Sequence, residues 1–461
     1  MLRLPVVLIL VVLALAGLLS AEWVWRADRH AALTGAAPDV VLSGARLPVD
    51  DVTVIRLERR NEPALEFRRD GASWRQVEPF AHPMDPFSIG QLVRAAADLA
   101  VIDRVDPRAF TDGTLTLDTL MLDPPAATIR YTWADGAVDV RLGRLGVAGR
   151  AYLQVDDSDD VLIVPQVLHE RALEMDPKEW RSRALFDDVG VNSDVIDIEA
   201  GPTHLRLERD RRTWRMTAPV RTRVDAAARD RLFDALGAAR ASGFLVDQPD
   251  ALAPFSLDPP AATVTVETTR RVADDAGVVT ETPDVQRLRI GGVIRSGSIE
   301  RYGLVEGRDT VIRLGEGLLR ALLREPTLFV DPTASGILPA DVKRIDIHAG
   351  TERFSFERAL DRWTAPDRAG TVDGAAVAEL LEQLTTLRAA SVELGRIPIG
   401  AELASVTFIG FSERPLGTVR ITRENADAPW VMDDGDGIRR LFPARMRVRL
   451  APADYGLTPT P

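Results

Sequence analysis

Apolar and polar residues alternate along a stretch of the chain that occurs three times. In the first copy, Ile55 and Leu57 alternate with charged residues, Leu65 and Phe67 do the same, and Trp74 follows after a turn. The other copies have the same residue types in the same order: Ile196, Ile198, Leu205, Leu207 and Trp214, then Ile345, Ile347, Phe354, Phe356 and Trp363. Period-2 alternation is typical of a strand with one buried face. Each copy therefore predicts an antiparallel meander, and the repetition predicts three units of one fold.

A helix is predicted behind each meander. Each of these three tryptophans is followed by a proline and then an aspartate: Pro79 and Asp85, Pro219 and Asp225, Pro366 and Asp373. Aspartate is a favoured N-cap because its carboxylate accepts hydrogen bonds from the free N–H groups of the first turn. Apolar residues then recur with helical spacing, which predicts one face packed on the sheet: Ile89, Leu92, Val93, Ala96 and Leu99, and in the third copy Val377, Leu380, Leu381, Leu384 and Leu387. The second copy keeps Leu232, Phe233 and Leu236 but has Arg229 where the stripe should begin.

A second half of the unit also repeats. Residues 122–128 recur letter for letter as residues 257–263, and each is followed by two strands, a tyrosine strand, a valine-rich strand and a short helix. The short helices are predicted at 166–173 and 317–323. The third copy has strand patterns at 406–411, 418–422 and 430–432 but lacks the Pro-Pro turn and the tyrosine. We therefore expect the third unit to lack outer strands in its second half.

These patterns predict the α+β fold class, with tandem repeated units of antiparallel meander sheet and a packed amphipathic helix, plus an N-terminal transmembrane helix. The predicted division of the chain is a membrane anchor at 1–25, a linker at 26–46, units at 47–186, 187–331 and 337–450 (the last abbreviated), and a disordered proline-rich tail at 451–461.

The membrane anchor rests on an uncharged apolar run from Leu4 to Ala21, with Trp23 and Trp25 just beyond it. At about 1.5 Å per residue a helix of this length just crosses a hydrocarbon core of roughly 30 Å, and tryptophan favours the membrane interface. A cleaved signal peptide is the alternative, but the large Leu19 makes a poor cleavage site. We expect a single-pass protein of the cytoplasmic (inner) membrane, with the bulk of the chain periplasmic or otherwise extracytoplasmic.

Composition narrows the function classes. The chain of 461 residues carries a net charge of −12, with both signs mixed along the strands, whereas a nucleic-acid-binding protein concentrates basic residues on one face. Cysteine is absent, which excludes disulfides, thiolate metal sites and a cysteine nucleophile. We expect protein partners, attachment to a membrane through the N-terminal helix, and no nucleic acid.

Motifs for catalysis or metal binding are weak. The five histidines have no pair at helical metal-ligand spacing, and no phosphate loop or serine elbow is present. Gly143, Gly146 and Gly149 have the wrong spacing for a dinucleotide site, so a turn is favoured. The acidic stretches 156–160 and 433–437 could hold calcium but lack the later glutamate of a full loop, and each is interpreted as a solvated hairpin tip. We therefore assign no catalytic, cofactor-binding or metal residue, expect no cofactor, and expect no enzymatic activity.

The tryptophans and the repeated aspartates have two interpretations each. Tryptophans can stack on sugars, but the repetition of Trp74 and its two counterparts among sheet-facing residues favours core packing. Trp133, Trp180 and Trp430 lie outside the repeated positions and are better candidates for a contact surface. The three aspartates recur as catalytic carboxylates might in an enzyme, yet three equal active sites in one chain are implausible, so capping is favoured.

The order of alternating strands, tryptophan, proline, aspartate and amphipathic helix, behind an N-terminal apolar segment, resembles the bacterial domain-of-unknown-function family numbered 4340. The resemblance covers 47–450 as tandem copies. The spacing Trp214–Pro219–Asp225 repeats that of Trp74–Pro79–Asp85, and the third copy shortens it. The resemblance implies an extracytoplasmic auxiliary part of an ABC-type export system related to gliding-motility transporters. The family supplies no catalytic residues to transfer.

The resulting hypothesis is a membrane-anchored extracytoplasmic accessory or scaffold protein of a transporter-like complex. The alternative is an extracytoplasmic protein that binds glycan or cell-wall polymer through exposed tryptophans. A hydrolase with paired carboxylates has least support, because no acid pair lies beside a nucleophile or metal set.

Overall fold

A computed structural model describes residues 39–42, 46–190, 192–273, 279–360, 362–395 and 400–458. The predicted membrane anchor at 1–25 and most of the linker at 26–46 lie outside the described residues. Within these ranges, no helix has both the length and the apolar character needed to cross a membrane. The chain divides into two compact units, Met1–Ser182 and Arg183–Pro461. The first unit contains one repeat, and the second contains two.

The first repeat is one antiparallel sheet in the order β4-β3-β2-β1-β6-β7-β8-β9-β5. Its strands are β1 Val54–Arg59, β2 Leu65–Asp70, β3 Ser73–Glu78, β4 His82–Met84, β5 Asp103–Arg104, β6 Ala127–Trp133, β7 Gly136–Leu145, β8 Arg150–Val155 and β9 Leu162–Pro165. Its helices are α1 Pro86–Ala97, α2 Arg108–Thr111 and α3 Val167–His169, which continues as a π-helical turn at Glu170–Glu174; a 3₁₀ helix follows at Pro177–Trp180.

The second repeat has the same strand order, β13-β12-β11-β10-β15-β16-β17-β18-β14. Its strands are β10 Ser193–Ala200, β11 Thr203–Asp210, β12 Thr213–Ala218, β13 Thr222–Arg223, β14 Gly243–Asp247, β15 Ala262–Ala273, β16 Val279–Val293, β17 Arg301–Val305 and β18 Thr310–Leu314. Its helices are α4 Ala226–Gly237 and α5 Glu316–Leu322, with 3₁₀ helices at Ala253–Phe255 and Pro326–Phe329.

The third repeat is a sheet in the order β21-β20-β19-β23-β24-β25-β26-β22. Its strands are β19 Val342–Ala349, β20 Glu352–Ala359, β21 Arg362–Thr364, β22 Ser391–Leu394, β23 Ala401–Gly410, β24 Pro415–Arg423, β25 Trp430–Asp433 and β26 Ile438–Phe442. Its helix is α6 Gly374–Thr385, and 3₁₀ helices occupy Pro339–Asp341 and Pro452–Tyr455. The described fold is thus mostly antiparallel sheet with few helices.

The central strand of each sheet joins the two halves of the repeat. Strand β1 pairs with β2 on one side and β6 on the other, so that Ile55 lies between Phe67 and Tyr131. Strands β10 and β19 have the same two neighbours in their own sheets. The side chain of Ile55 is fully buried, as are those of its counterparts Ile196 and Ile345. The predicted meander and the second half of each unit therefore form one continuous sheet.

The repeated tryptophans occupy the same register. Trp74 lies opposite Arg69, as its counterparts in β12 and β21 lie opposite Arg209 and Arg358, which confirms that the three copies are one fold. Trp74 is 7% exposed, whereas Trp214 and Trp363 are half-buried and pack against the edges of their cores. The prediction of core packing is thus confirmed for Trp74 and holds only partly for the other two.

The helix that follows each tryptophan packs its predicted stripe on the sheet. The buried residues of α1 are Ile89, Leu92, Val93 and Ala96. In α4 the small Ala228, rather than Arg229, begins the buried stripe that continues with Leu232 and Leu236. Because Ala228 adds little apolar area, α4 covers its sheet with a narrower apolar face than the other two helices do.

The expected loss of outer strands from the third repeat is wrong. Strands β23 to β26 and the edge strand β22 are all present, including β26, which the sequence pattern did not indicate. Among the described residues, what the third sheet lacks is a counterpart of β4 and β13 beside the tryptophan strand. The segment from Trp363 to Asp373 is one residue shorter than the equivalent segments of the first two repeats. It forms no strand that pairs with β21.

The prediction of a disordered tail is wrong for 451–458, and residues 459–461 lie outside the described residues. Tyr455 is fully buried and Leu457 nearly so. The physical reason is a motif repeated at the end of each unit, in which a proline begins a 3₁₀ helix and an aromatic ends it. In the first two repeats the aromatics are Trp180 and Phe329, and the carbonyl of each aromatic accepts the N–H of the capping aspartate, as that of Tyr455 does. The tail therefore closes the third core.

We predict that Tyr455→Ala destabilises the third repeat by about 3 kcal/mol, because it leaves a cavity beside Phe354 and Phe356. The rings of Tyr455 and Phe356 are 4.8 Å apart at their centroids. Native-state hydrogen exchange of α6 in the full chain measures the change. Ala453→Ser, at an exposed position of the same 3₁₀ turn, serves as the control and should change stability by less than about 0.5 kcal/mol.

Candidate functional site: a buried charge network in the second unit

The acidic loop between β25 and β26 begins the network. Gly435 and Gly437 adopt φ values of +88° and +81°, which favour glycine and permit a tight turn. Strand β26 then buries alternate residues, Ile438, Arg440 and Phe442. A period of two leaves position 440 on the inner face, so the guanidinium of Arg440 must find its partners inside the protein.

Arg440 is 0% exposed and all three of its guanidinium nitrogens have partners. Its Nη2 donates to Asp436 Oδ2 at 2.8 Å, and its Nη1 donates to Asp436 Oδ1 at 3.2 Å and to Asp434 Oδ1 at 3.5 Å. Its Nε donates to the backbone carbonyl of Asp331 at 2.9 Å. A buried arginine is tolerated only with this degree of pairing.

The second repeat supplies the other half of the network from β13. Arg223 Nε donates to Asp331 Oδ2 at 3.1 Å and its Nη2 to the carbonyl of Thr333 at 3.0 Å, while its Nη1 contacts Asp434. The hydroxyl of Thr222 donates to Asp436. A Cβ on Gly336 would lie 2.4 Å from Arg223 Cδ, so a side chain there would obstruct Arg223. The second and third sheets are thus joined through one set of shared carboxylates.

A second link between these repeats uses a helix cap. Asp225, 6% exposed, accepts the N–H of Ala228 at 2.7 Å as the N-cap of α4. Its other oxygen accepts from Arg388 Nη2 of the third repeat at 2.7 Å. The predicted capping role is confirmed for Asp225 and for its counterparts Asp85 and Asp373. The N-cap residue of α4 therefore also binds the third repeat.

The pKa values of these buried carboxylates shift in different directions. Burial, together with the nearby charge of Asp436, raises the pKa of Asp434 despite its contact with Arg223. Burial also opposes ionisation of Asp436, but the hydrogen bonds and charge of Arg440 outweigh it and lower the pKa of Asp436. For Asp225 as well, the opposing effect of burial is outweighed by Arg388 and by the N–H of Ala228, so its pKa is lowered.

The interpretation of 433–437 as a solvated hairpin tip is wrong, because Asp434 and Asp436 are mostly buried. Asp433, Asp434 and Asp436 bring carboxylate oxygens within 4.8 Å of one another, as a metal site would. Each of them, however, already accepts a hydrogen bond from an arginine, Asp433 from Arg420. A cation would have to displace guanidinium groups, so the arrangement favours an ion-pair network over calcium binding.

The other acidic stretch, 156–160, agrees with its prediction. Residues 157–160 are exposed, and Asp157 forms a surface ion pair with Arg141. The nearby glycines are structural. Gly149 lies in the turn before β8 with φ +72°, and a Cβ on Gly143 would lie 2.5 Å from the carbonyl oxygen of Leu120.

A cluster of two carboxylates and a histidine lies on the second sheet. Asp197, Glu199 and His204 bring possible ligand atoms within 4.8 Å of one another. Asp197 accepts from His204 Nε2 at 2.8 Å and from Arg206 Nη1 at 2.7 Å, so its charge is already paired. The register positions of Asp197 and Glu199 hold Arg56 and Glu58 in the first repeat, and the cluster is therefore not repeated.

The tryptophans outside the repeated positions have mixed outcomes. Trp180 and Trp430 are buried at 2% and 8% exposure, so their interpretation as contact-surface candidates is wrong. Trp180 packs edge-on against Phe67, and Trp430 Nε1 donates to the carbonyl of Met446. Trp133 is half-buried and lines an open cavity of about 520 Å³.

Sequence reasoning missed Arg223, Asp331 and Arg440. Asp331 and Arg223 lie more than a hundred residues from the loop they hold, and this separation leaves no local pattern. One signal was available in β26, where Arg440 stands between Ile438 and Phe442 at an inward position.

Comparison with known families supplies one match. A family model described as "Domain of unknown function (DUF4340)" matches residues 74–212 and 214–402. The two matched segments cover well over half of the chain, and each begins at one of the repeated tryptophans, Trp74 or Trp214. No curated protein matches the chain.

We predict that Asp436→Ala destabilises the second unit by about 3 kcal/mol or more, since it leaves the buried charge of Arg440 underpaired. Urea unfolding of the full chain, followed by hydrogen exchange of β13 and β26, measures the loss. Asp427→Ala removes the same charge from an exposed loop position and should be nearly neutral. Equal effects of the two substitutions would contradict the network.

We also predict an acid-sensitive contribution from Asp225. Its folded-state pKa is lowered, so the stabilisation is fully present above the unfolded-state value of about 3.9 and is lost as the pH falls through the folded-state value. Asp225→Asn retains a good N-cap but removes this titration. The difference in unfolding free energy between the parent protein and this variant should therefore shrink between about pH 6 and pH 2. A constant difference would show that the pKa of Asp225 is not lowered in the folded protein.

Proposed function

We propose that this protein, which belongs to the family described as Domain of unknown function (DUF4340), is a non-enzymatic accessory or scaffold protein of a membrane complex. In this proposal residues 1–25 anchor the chain in the cytoplasmic membrane, and the repeats lie on the extracytoplasmic side. The partner complex would be of the ABC-transporter type that the family resemblance implies.

The observation that supports a scaffold most directly is the use of buried polar groups in the second unit. Arg223, Arg440 and the carboxylates around them bind one another and fix the second repeat to the third. Ile438 of the third sheet is buried in the core of the second repeat. Groups paired in this way cannot act as a free acid, base or nucleophile, but they hold two binding surfaces in a constant relation.

The polar faces of the sheets provide such surfaces. In the first repeat Arg56 pairs with Glu66 and Glu78 across neighbouring strands. In the second, Arg206 pairs with Asp197 and Glu208. Paired charges on a solvated sheet face add little stability, and they suit recognition by a partner with complementary charge.

Glycan binding remains the second candidate, with one observation in its favour. Trp133 lines the cavity of about 520 Å³ together with Thr53 and Arg69, which offer hydrogen-bonding groups. A row of solvent-facing tryptophans would have favoured this function, but Trp180 and Trp430 are buried. The scaffold is therefore preferred.

We predict that the full chain stays with membranes after a carbonate wash and co-purifies with an integral membrane complex after mild solubilisation. Asp436→Ala, which loosens the joint between the repeats, should reduce the amount of co-purified complex, while Asp427→Ala should leave it unchanged. The measurement is quantitative mass spectrometry of the purified complex at matched protein levels. A mature N-terminus at Glu22, or release by carbonate, would overturn the anchor, and recovery of the chain alone would overturn the scaffold.

A further inference from the structure

A short strand closes the edge of the sheet beside the tryptophan in the first two repeats. Strand β4 pairs with β3 and places Met84, a buried residue, directly opposite Trp74. Strand β13 pairs with β12 in the same way. In both repeats the chain itself thus supplies the last strand at this edge.

The third repeat leaves the same edge open. Strand β21 ends the sheet, and no strand among the described residues pairs with its outer side. The segment before α6 pairs with the end of the chain through a bridge between Gly370 and Leu457, much as Met84 and Val224 form bridges at the ends of their own repeats. Unlike the segments of the first two repeats, it forms no strand beside β21. A groove of about 740 Å³ lies between β21, this segment and α6.

The lining of the groove has three features. Its apolar surface comes from Trp363, Val372 and Ala378. One wall is the unpaired edge of β21, whose backbone groups can accept a further strand. The charged residue of the lining is Arg362, which is exposed next to Trp363.

We propose that this groove binds an extended segment of a protein partner as the missing strand of the third sheet. An apolar residue of that segment would face Trp363, as Met84 faces Trp74 in the first repeat, and a carboxylate of the segment would lie near Arg362. Strand addition of this kind combines backbone pairing with pockets for alternate side chains. The inference rests on the proposed scaffold function and names the chemistry of its partner.

The first two repeats favour a single short extended chain as the occupant. There the equivalent place is filled by one strand of three residues, His82–Met84, or of two residues, Thr222–Arg223.

The test is a selection of peptides from a displayed library of random heptapeptides against the full chain. Ala378→Phe fills the groove from an exposed position of α6, and Ala375→Phe places the same ring at another exposed position of that helix, outside the groove. Thermal unfolding by circular dichroism checks that both variants fold. Affinity for the synthesised peptides is measured by fluorescence anisotropy.

We expect selected peptides to share an apolar residue and to lose at least about tenfold in affinity for Ala378→Phe, as for removal of one anchor contact, with no change for Ala375→Phe. N-methylation of alternate peptide amides should abolish binding, and amide exchange at 362–364 should slow in the complex. Failure to select any groove-dependent peptide, or indifference to N-methylation, would overturn the proposal. Self-association abolished by Ala378→Phe would assign the groove to a second copy and overturn it too. These measurements need no membrane complex, so their failure is distinct from failure of the scaffold proposal.

Discussion

Each repeat must cover one apolar face of a sheet whose other face is solvated, and most of its architecture follows from this constraint. At about 25 cal/mol per Å², the inward residues of the central strand, such as Ile55 and Leu57, cannot remain in contact with water. One amphipathic helix covers part of the sheet, and an aromatic residue at the end of the repeat covers another part. The carbonyl of that aromatic accepts the N–H of the residue that caps the helix. Helix and closing turn are therefore held in place by each other.

The same constraint explains what the sequence could reveal. Alternation and helical spacing are local, so the strands, the capping aspartates and the stripe of α1 were predictable from a few neighbouring residues. The closing turn was missed because its pattern is a proline followed by an aromatic residue whose identity changes from one repeat to the next. The aromatic residues are Trp180, Phe329 and Tyr455. A proline-rich chain end is more often frayed, and only the contact with the core distinguishes the two cases.

The charge network was beyond sequence reasoning for a different reason. A run of aspartates and glycines between two strands usually marks a solvated turn, because isolated carboxylates are costly to bury. The cost is offset here by Arg223 and Arg440, and Arg223 is 211 residues away from Asp434 in the chain. Local composition therefore predicted a solvated turn, which is the less costly environment for a carboxylate. In the fold these carboxylates are buried and paired with arginines instead. The same limit applies to the open edge of β21, since a missing pairing has no residue pattern of its own.

Comparison among the repeats separates structural positions from functional ones. Arg56 lies opposite Glu66 in the first sheet, whereas the equivalent pair in the second sheet is Asp197 and Arg206, with the signs exchanged. The third sheet has Asp346 opposite Ser355 at the same positions. Positions that tolerate these exchanges do not require a particular chemical group, which argues against a catalytic carboxylate there. The edge beside the tryptophan behaves differently, because two repeats close it and the third does not. Because this difference is confined to one copy of the repeated fold, the open edge is where a role specific to the third repeat is best sought.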